Sequence, residues 1–423
     1  MALFLNVALA AAVAGRAAVL RPSRALSRLA QQQQVLVARA PPPLLQLDPA
    51  PKPAVGPIAQ KLCLIDGHGL AYRMHYALQK TRMSTTDGEQ THALHGFLMK
   101  LLDFQGRFPD YHMLVAFDLP GPTFRTVELP TYKQSRPSMP IPLRTQLQSM
   151  IEACALLGAP PVSYAGFEAD DVIATCVSLA ARRGASDVVI VSSDKDLLQL
   201  VSAPGAADAA ADSSETRVVV WNDSKKLELD DAAVEATFGV PPRLVGDLLA
   251  LMGDASDEIP GVPGIGMKGA AKLLGEHGDL EGVLAAAAET MRPSKRRSAL
   301  IEATEVARKA RRLVGLVEEV PIDANVLCGG PISYEGPGLS TFFERWQLRK
   351  VEQTILRSRR MGLSQTLPPP ALATTPTAQP APAAAAEAAP APKKKRGRPP
   401  KKKLPVDGEG EVPYTIREEE IPF

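Results

Sequence analysis

Cysteine is scarce in this 423-residue chain: Cys63, Cys154, Cys176 and Cys328 are widely spaced and form no Cys-x-x-Cys pair. That pattern excludes a disulfide framework and a structural zinc site, and predicts reduced, mostly buried thiols. Long apolar runs are lacking too. Outside the N-terminus none approaches the ~18 residues of a membrane span, so a soluble protein with no membrane partner is expected. Nor is there an excess of either charge, with 48 Lys and Arg against 46 Asp and Glu, so the net charge of +2 points to no partner.

The distribution of charge says more. Residues 1–47 hold five arginines and no acid, residues 365–423 hold nine basic and seven acidic residues, and the body between them has 34 basic against 39 acidic. An acidic body between basic ends is unusual for a nucleic-acid binder unless its carboxylates are gathered for a purpose such as holding divalent metal.

Residues 1–47, rich in Ala, Leu and Arg and followed by a Pro-rich stretch, are expected to be an organelle transit peptide; sparse Ser favours mitochondrion over plastid. The apolar stretch 4–13 makes a secretory signal the rival. From Leu62, short β-branched runs (62–65, 113–117, 188–191, 218–221) alternate with amphipathic stretches (93–104, 143–157, 172–182). This predicts an α/β domain with a largely parallel sheet over 58–238. Residues 239–360 predict a mainly helical domain. Residues 361–423 are Pro/Ala/Thr-rich, then basic, then acidic, and cannot bury enough apolar surface to fold alone. Alanine-rich 203–211 is expected to be a flexible surface insertion.

Five segments place acids where strands end or helices begin. Asp66 ends the first strand candidate, Asp118 the second, and Asp194 and Asp196 follow the third. In an open α/β sheet these ends line one crevice. Glu168, Asp170 and Asp171 stand at a helix start, in greater number than capping requires. Asp254 and Asp257 lie between the two predicted domains. Such a density is costly unless cations neutralise it, and hard oxygen donors without His or Cys favour two or more Mg²⁺ or Mn²⁺ ions. The bland reading, in which each acid is a cap or a solvated residue, fits any one of them better than it fits all five segments.

Two further elements point to phosphate. In GVPGIGMKGAAKLL, Gly261, Gly264, Ile265 and Gly266 form a turn before a helix, where backbone amides can hold phosphate oxygens and Lys268 and Lys272 add charge. The segment 119–142 is too long for an ordinary βα loop, and its Arg125, Lys133 and Arg136 can reach a phosphate. A tight helix-helix turn and a solvated loop are the respective alternatives.

The runs LCLIDGHGLAYRMHYAL, AFDLPGPTFR, YKQSRP, GFEADDVIA, SSDKDLLQL and LMGDASDEIPGVPGIGMKGAAKLL occur in one order over about 70% of the chain. Together they resemble the 5′ nuclease domain that precedes bacterial DNA polymerase I, a member of the flap endonuclease superfamily. The resemblance implies a PIN-like α/β fold with a helical arch, followed by a helix-three-turn-helix module on duplex DNA. It assigns Asp66, Asp118, Glu168, Asp170, Asp171, Asp194, Asp196, Asp254 and Asp257 to metal. It places Arg73, Lys133 and Arg136 beside the scissile phosphate and Tyr72 against the terminal nucleotide. It also implies a potassium ion on backbone carbonyls near Gly264 and Gly266. Low complexity begins near residue 364, so no polymerase domain is expected after it.

In the tail, Arg396 and Arg398 of RGRPP resemble an AT-hook; non-specific DNA tethering and a nuclear-import signal are the alternatives. The terminal REEEIPF resembles the acidic tip of bacterial single-stranded-DNA-binding proteins and is a candidate for contact with organellar replication or repair proteins. The expected function is a monomeric, metal-dependent 5′-3′ exonuclease and flap endonuclease. It would remove primers, flaps and damaged ends from mitochondrial or chloroplast DNA. A PIN-type ribonuclease and a non-catalytic DNA-binding nucleoid protein are the alternatives.

Overall fold

The apolar runs between residues 61 and 222 are too continuous for strands with one wet face, and the fold buries them on both. A computed structural model describes residues 58–204, 215–332, 334 and 338–360. The expected transit segment 1–47, residues 205–211 of the alanine-rich insertion, the RGRPP run with Arg396 and Arg398, and the acidic end lie outside the described residues.

Six strands, β1 (Lys61–Asp66), β2 (His112–Ala116), β3 (Pro161–Val162), β4 (Asp187–Val191), β5 (Arg217–Asn222) and β6 (Leu227–Leu229), form one sheet in the order β3-β2-β1-β4-β5-β6. Every neighbouring pair is parallel except β5 and β6. The four strand candidates of the sequence appear as β1, β2, β4 and β5. The helices in chain order begin with α1 (Gly67–Leu78), α2 (His92–Arg107), α3 (Phe124–Glu128), α4 (Ile141–Leu157) and α5 (Ala169–Arg182). They continue with α6 (Asp231–Phe238), α7 (Val245–Met252), α8 (Met267–His277), α9 (Leu280–Glu289), α10 (Lys295–Glu302), α11 (Thr304–Val314), α12 (Leu339–Trp346) and α13 (Arg349–Arg360).

Side chains alternate across the sheet with period two. Leu62 and Leu64 of β1 enter one core with α5 to α11, whereas Cys63 and Ile65 enter the other with α1, α2, α4, α12 and α13. The first core runs without a break from the sheet into α7, α8, α9 and α11, so α7 and its neighbours are packed on the sheet's own apolar layer. Within 239–360 the last two helices go elsewhere. Phe342, Phe343 and Trp346 of α12 and Val351 and Ile355 of α13 pack on the opposite face, against α2 and α4.

The segment between β2 and α4 is helical only in α3. Prolines at 120, 122, 130, 137 and 140 interrupt it, and a residue without an amide proton cannot continue a helix interior. Cys63, Cys154 and Cys176 are buried and Cys328 half-buried, and none of them forms a disulfide among the described residues. Burial raises all three buried thiols, Cys176 to about 12. Among the described residues no helix is long and apolar enough to cross a membrane.

Trp346 is the largest side chain that α12 lays into the second core. Trp346→Ala is expected to lower unfolding free energy by about 3–5 kcal/mol in urea titrations, with α12 and α13 the first segments to gain protease sensitivity.

Candidate active site

The chain runs from β1 outward through β2 to β3, then returns to β1's other side for β4 and β5. The strand order therefore reverses between β1 and β4, and in an open α/β sheet the crevice beyond that reversal is where ligands bind. β1 ends at Asp66 and β4 is followed by Ser192 and Asp194.

Asp66 caps α1, with Oδ1 accepting the Gly69 amide at 2.8 Å and Oδ2 accepting the Ser192 hydroxyl at 3.1 Å. This explains the glycine in Asp-Gly-His-Gly: a Cβ at residue 69 would lie 2.2 Å from Asp66 Oδ2. Ser192 Oγ in turn accepts the Asp194 amide at 3.0 Å, so one hydroxyl ties the β1 acid to the β4 acid. Asp170, in the first turn of α5, faces both. Burial holds its carboxyl well above the usual range, and Asp194 and Asp66 push it further. Burial likewise raises Asp66, reinforced by Asp118 and Asp194 against the Gly69 amide, and raises Asp194 with Asp257 adding to it.

Asp118 stands at the rim. Its Oδ1 accepts the Ala169 amide at 2.7 Å, capping α5, and its amide donates to His68 Nδ1 at 3.0 Å. That imidazole nitrogen is an acceptor, so its 3.5 Å approach to Asp118 Oδ2 is not an ion pair.

A second group joins Asp196 to Asp254 and Asp257, with one carboxylate oxygen from each lying within 4.8 Å of the others. Asp196 Oδ1 is buried without a hydrogen-bond partner, an arrangement that folded proteins rarely leave uncompensated. Burial raises Asp196 well above a normal carboxyl, with Asp194, Asp254 and Asp257 adding repulsion. Lys195 Nζ meets Asp254 Oδ1 at 2.8 Å, and with Ser256 it outweighs the burial of Asp254 and lowers its carboxyl. These hard, crowded oxygens with an orphaned acceptor among them fit a divalent cation.

The segment after α3 lies across this group. The Tyr132 hydroxyl lies 3.0 Å from Glu168 Oε2 and 3.1 Å from Asp257 Oδ2, with one proton to share between them. Lys133 Nζ meets Glu168 Oε2 at 2.8 Å, and Arg136 pairs with Asp257 Oδ1. The Lys133 amide donates to the Asp257 carbonyl at 3.3 Å and the Ser135 amide to Glu258 Oε1 at 2.6 Å. Lys133 and Arg136 thus sit among the acids as their counter-ions. Arg73 is placed differently: it reaches Asp223 at 3.3 Å and Ser224 at 3.1 Å in the β5–β6 turn.

Two expected roles are overturned by burial. Arg125, 2% exposed, forms a two-pronged pair with Asp171 at 2.6 and 2.7 Å and donates to the Leu313 and Gly315 carbonyls. Four of its five N–H donors are taken inside the protein, and its burial keeps the guanidinium away from DNA. Asp171, 0% exposed, also accepts the Val317 and Glu168 amides, so its oxygens are filled and it is not available as a metal ligand. The third acid at the start of α5 is a clamp between α3, α5 and the end of α11.

The glycine-rich turn connects α7 to α8. Gly253 and Gly261 bring two backbones together, since a Cβ at 261 would lie 2.3 Å from the Gly253 nitrogen. Gly264, at φ +79°, and Gly266 face open space. Lys268 and Lys272 are exposed, Lys272 within 3.7 Å of Glu276. The Ile265 side chain is in the core and its amide donates to the Val262 carbonyl at 3.1 Å, so it anchors the turn.

The family models for the 5′-3′ exonuclease N-terminal resolvase-like domain and its C-terminal SAM fold match residues 61–239 and 240–328. The chain belongs to the 5′-3′ exonuclease family. This family of nucleases includes part of DNA polymerase I of Deinococcus radiodurans, which is 40% identical over 263 residues, 62% of this chain and 26% of that protein. The chain spans about a quarter of the length of the curated relatives it matches. Bacteriophage T5 5′-exonuclease, solved with zinc bound, shares the fold at TM-score 0.51 and 20% identity, over 70% of this chain and 98% of that one. A bacteriophage T5 flap endonuclease solved with DNA and metal ions has TM-score 0.50 and 19% identity, over 69% and 99%.

The candidate site also includes residues that sequence reasoning passed over. Ser192 and Lys195 lay inside the SSDKD run and were hidden by the acids beside them. Asp223, 4% exposed and shared by Arg73, Lys100 and Lys226, gave no signal, because only the sheet brings its turn to α1. Removing one partner of a buried ion pair strands the other charge, so Arg125→Ala is expected to cost about 3–5 kcal/mol in thermal or urea unfolding. The salt dependence of DNA binding by the folded variant is expected to match the native protein's.

Proposed function

We propose that the chain hydrolyses DNA phosphodiester bonds as a 5′-3′ exonuclease and flap endonuclease, using two or more Mg²⁺ or Mn²⁺ ions. The observation that carries this is the pair of acid groups at the sheet's reversal, with the orphaned Asp196 Oδ1 among them. Asp66, Asp170 and Asp194 would hold one ion and Asp196, Asp254 and Asp257 another. When bound, such ions supply charge neutralisation at the phosphate and a more acidic attacking water.

The chain's own groups do the rest. Lys133 and Arg136, already among the carboxylates, place positive charge where the phosphate enters. Tyr72 offers a ring to the frayed 5′ nucleotide. Gly264 and Gly266 let a duplex phosphate approach the N-terminus of α8, with Lys268 and Lys272 adding long-range attraction and carbonyls of the turn available to potassium. The Arg-rich leader supports action in mitochondria or chloroplasts, and the basic run with Arg396 and Arg398 supports tethering to DNA there.

Residues 58–423 are expected to cut a 5′-labelled DNA flap at its junction and a nicked duplex from its 5′ end in Mg²⁺, and to be silent in EDTA. Equal or faster cutting of matched RNA would replace this reading with a ribonuclease, and tight binding without cutting would replace it with a scaffold. Because burial raises the Asp170 and Asp196 carboxyls, their ionised forms weaken the folded state at neutral pH. Asp170→Asn and Asp196→Asn are therefore expected to raise Tm in EDTA, abolish the Tm rise that Mg²⁺ gives the native protein, and cut turnover by orders of magnitude with DNA binding retained. Lys268→Ala and Lys272→Ala should each reduce the slope of log K against log salt by about 1.

A further inference from the structure

Helix α1 is capped by the site acid Asp66 and carries, besides Tyr72, the aromatic residues His75 and Tyr76. His75 and His92 are buried and share a hydrogen bond between Nδ1 and Nε2 at 3.0 Å. The His75 ring meets Tyr76 edge to face at 5.1 Å, and Tyr76 lies nearly parallel to Tyr72, 6.4 Å away at 23°. Tyr72 is half-buried and sits within the field of Arg136 and Arg144, whereas Tyr76 is 46% exposed. Its ring is thus braced by His75 of the buried histidine pair and by Tyr72, while nearly half of the residue stays exposed. A large aromatic held in one orientation while exposed contributes little to folding, but it loses little freedom when a flat ligand stacks on it.

We infer that Tyr76 is a second base-stacking residue, which holds an unpaired nucleobase of the substrate strand beside the one on Tyr72. The inference rests on the proposed DNA nuclease reading. The two tyrosines are one helical turn apart, and the spacing of their rings exceeds the ~3.4 Å rise of stacked bases. The strand crossing them is therefore unstacked, each base lying on a ring instead of on its neighbour. This selects single-stranded 5′ segments of at least two nucleotides over a blunt, fully stacked end. Stacking of this kind tolerates any base, since every base has a π-face.

The test uses residues 58–423 in EDTA, where DNA is bound and not cut, with flap substrates carrying 2-aminopurine at single successive positions near the junction. The native protein is expected to change the fluorescence of two positions. Tyr76→Ala should lose the response at one of them, and Tyr76→Phe should keep both. In Mg²⁺, Tyr76→Ala should raise KM for flap DNA about tenfold with kcat unchanged. A native response at one position only, or a Tyr76→Ala protein that keeps both responses and the native KM, overturns the inference while leaving the nuclease reading intact. A native protein that cuts no DNA in Mg²⁺ overturns the nuclease reading and this inference with it.

Discussion

Crowded negative charge at one end of one sheet is the constraint on which the rest depends. Asp66, Asp170 and Asp194 repel one another beside β1 and β4, and Asp194 also acts on Asp196, whose own neighbours are Asp254 and Asp257. The fold meets this repulsion with local dipoles and cations. The Gly69 and Asp196 amides, the Ser192 hydroxyl and the ammonium of Lys195 each oppose it at one point. Tyr132, Lys133 and Arg136 oppose it from above. What is left uncompensated, at Asp170 and Asp196 Oδ1, marks where a cation has most to contribute.

Two acids that look alike in sequence have opposite tasks. Asp170 and Asp171 are adjacent at the start of α5, yet one faces the crevice and the other is sealed under α3. The difference is their angle on the helix: neighbours differ by about 100°, so they cannot share a face. Arg125 fixes which is which by taking Asp171 in a two-pronged pair and holding the end of α11 through carbonyls. The catalytic edge is thereby coupled to the helices that follow the sheet.

The strands and longer helices were legible because their apolar patterns are continuous and bounded by Gly and Pro. The acids were legible as a set because strand ends in an α/β sheet share an edge. Direction was not legible. Nothing in GFEADDVIA separates Asp170 from Asp171, and an arginine in a long polar segment reads as solvent-facing until its burial at Arg125 is known. Ile265 looked like part of a phosphate turn because its neighbours are glycines, although an isoleucine flanked by open glycines is better suited to fasten the turn. The return of α12 and α13 to the far face depends on contacts between segments far apart in the chain, such as Gln347 with Thr86, 261 residues away, which local patterning does not encode.

The turn from α7 to α8 holds Asp254 and Asp257 at one end and Gly264 and Lys268 at the other. The contact between Gly253 and Gly261, which only residues without a side chain permit, makes this stretch a rigid spacer and not a flexible tether. On the proposed reading, the phosphate gripped at α8 and the phosphate attacked among the acids are then a fixed number of nucleotides apart. On that reading the protein would work as a ruler: where it cuts would be decided by where it holds the duplex, with no sequence needing to be read.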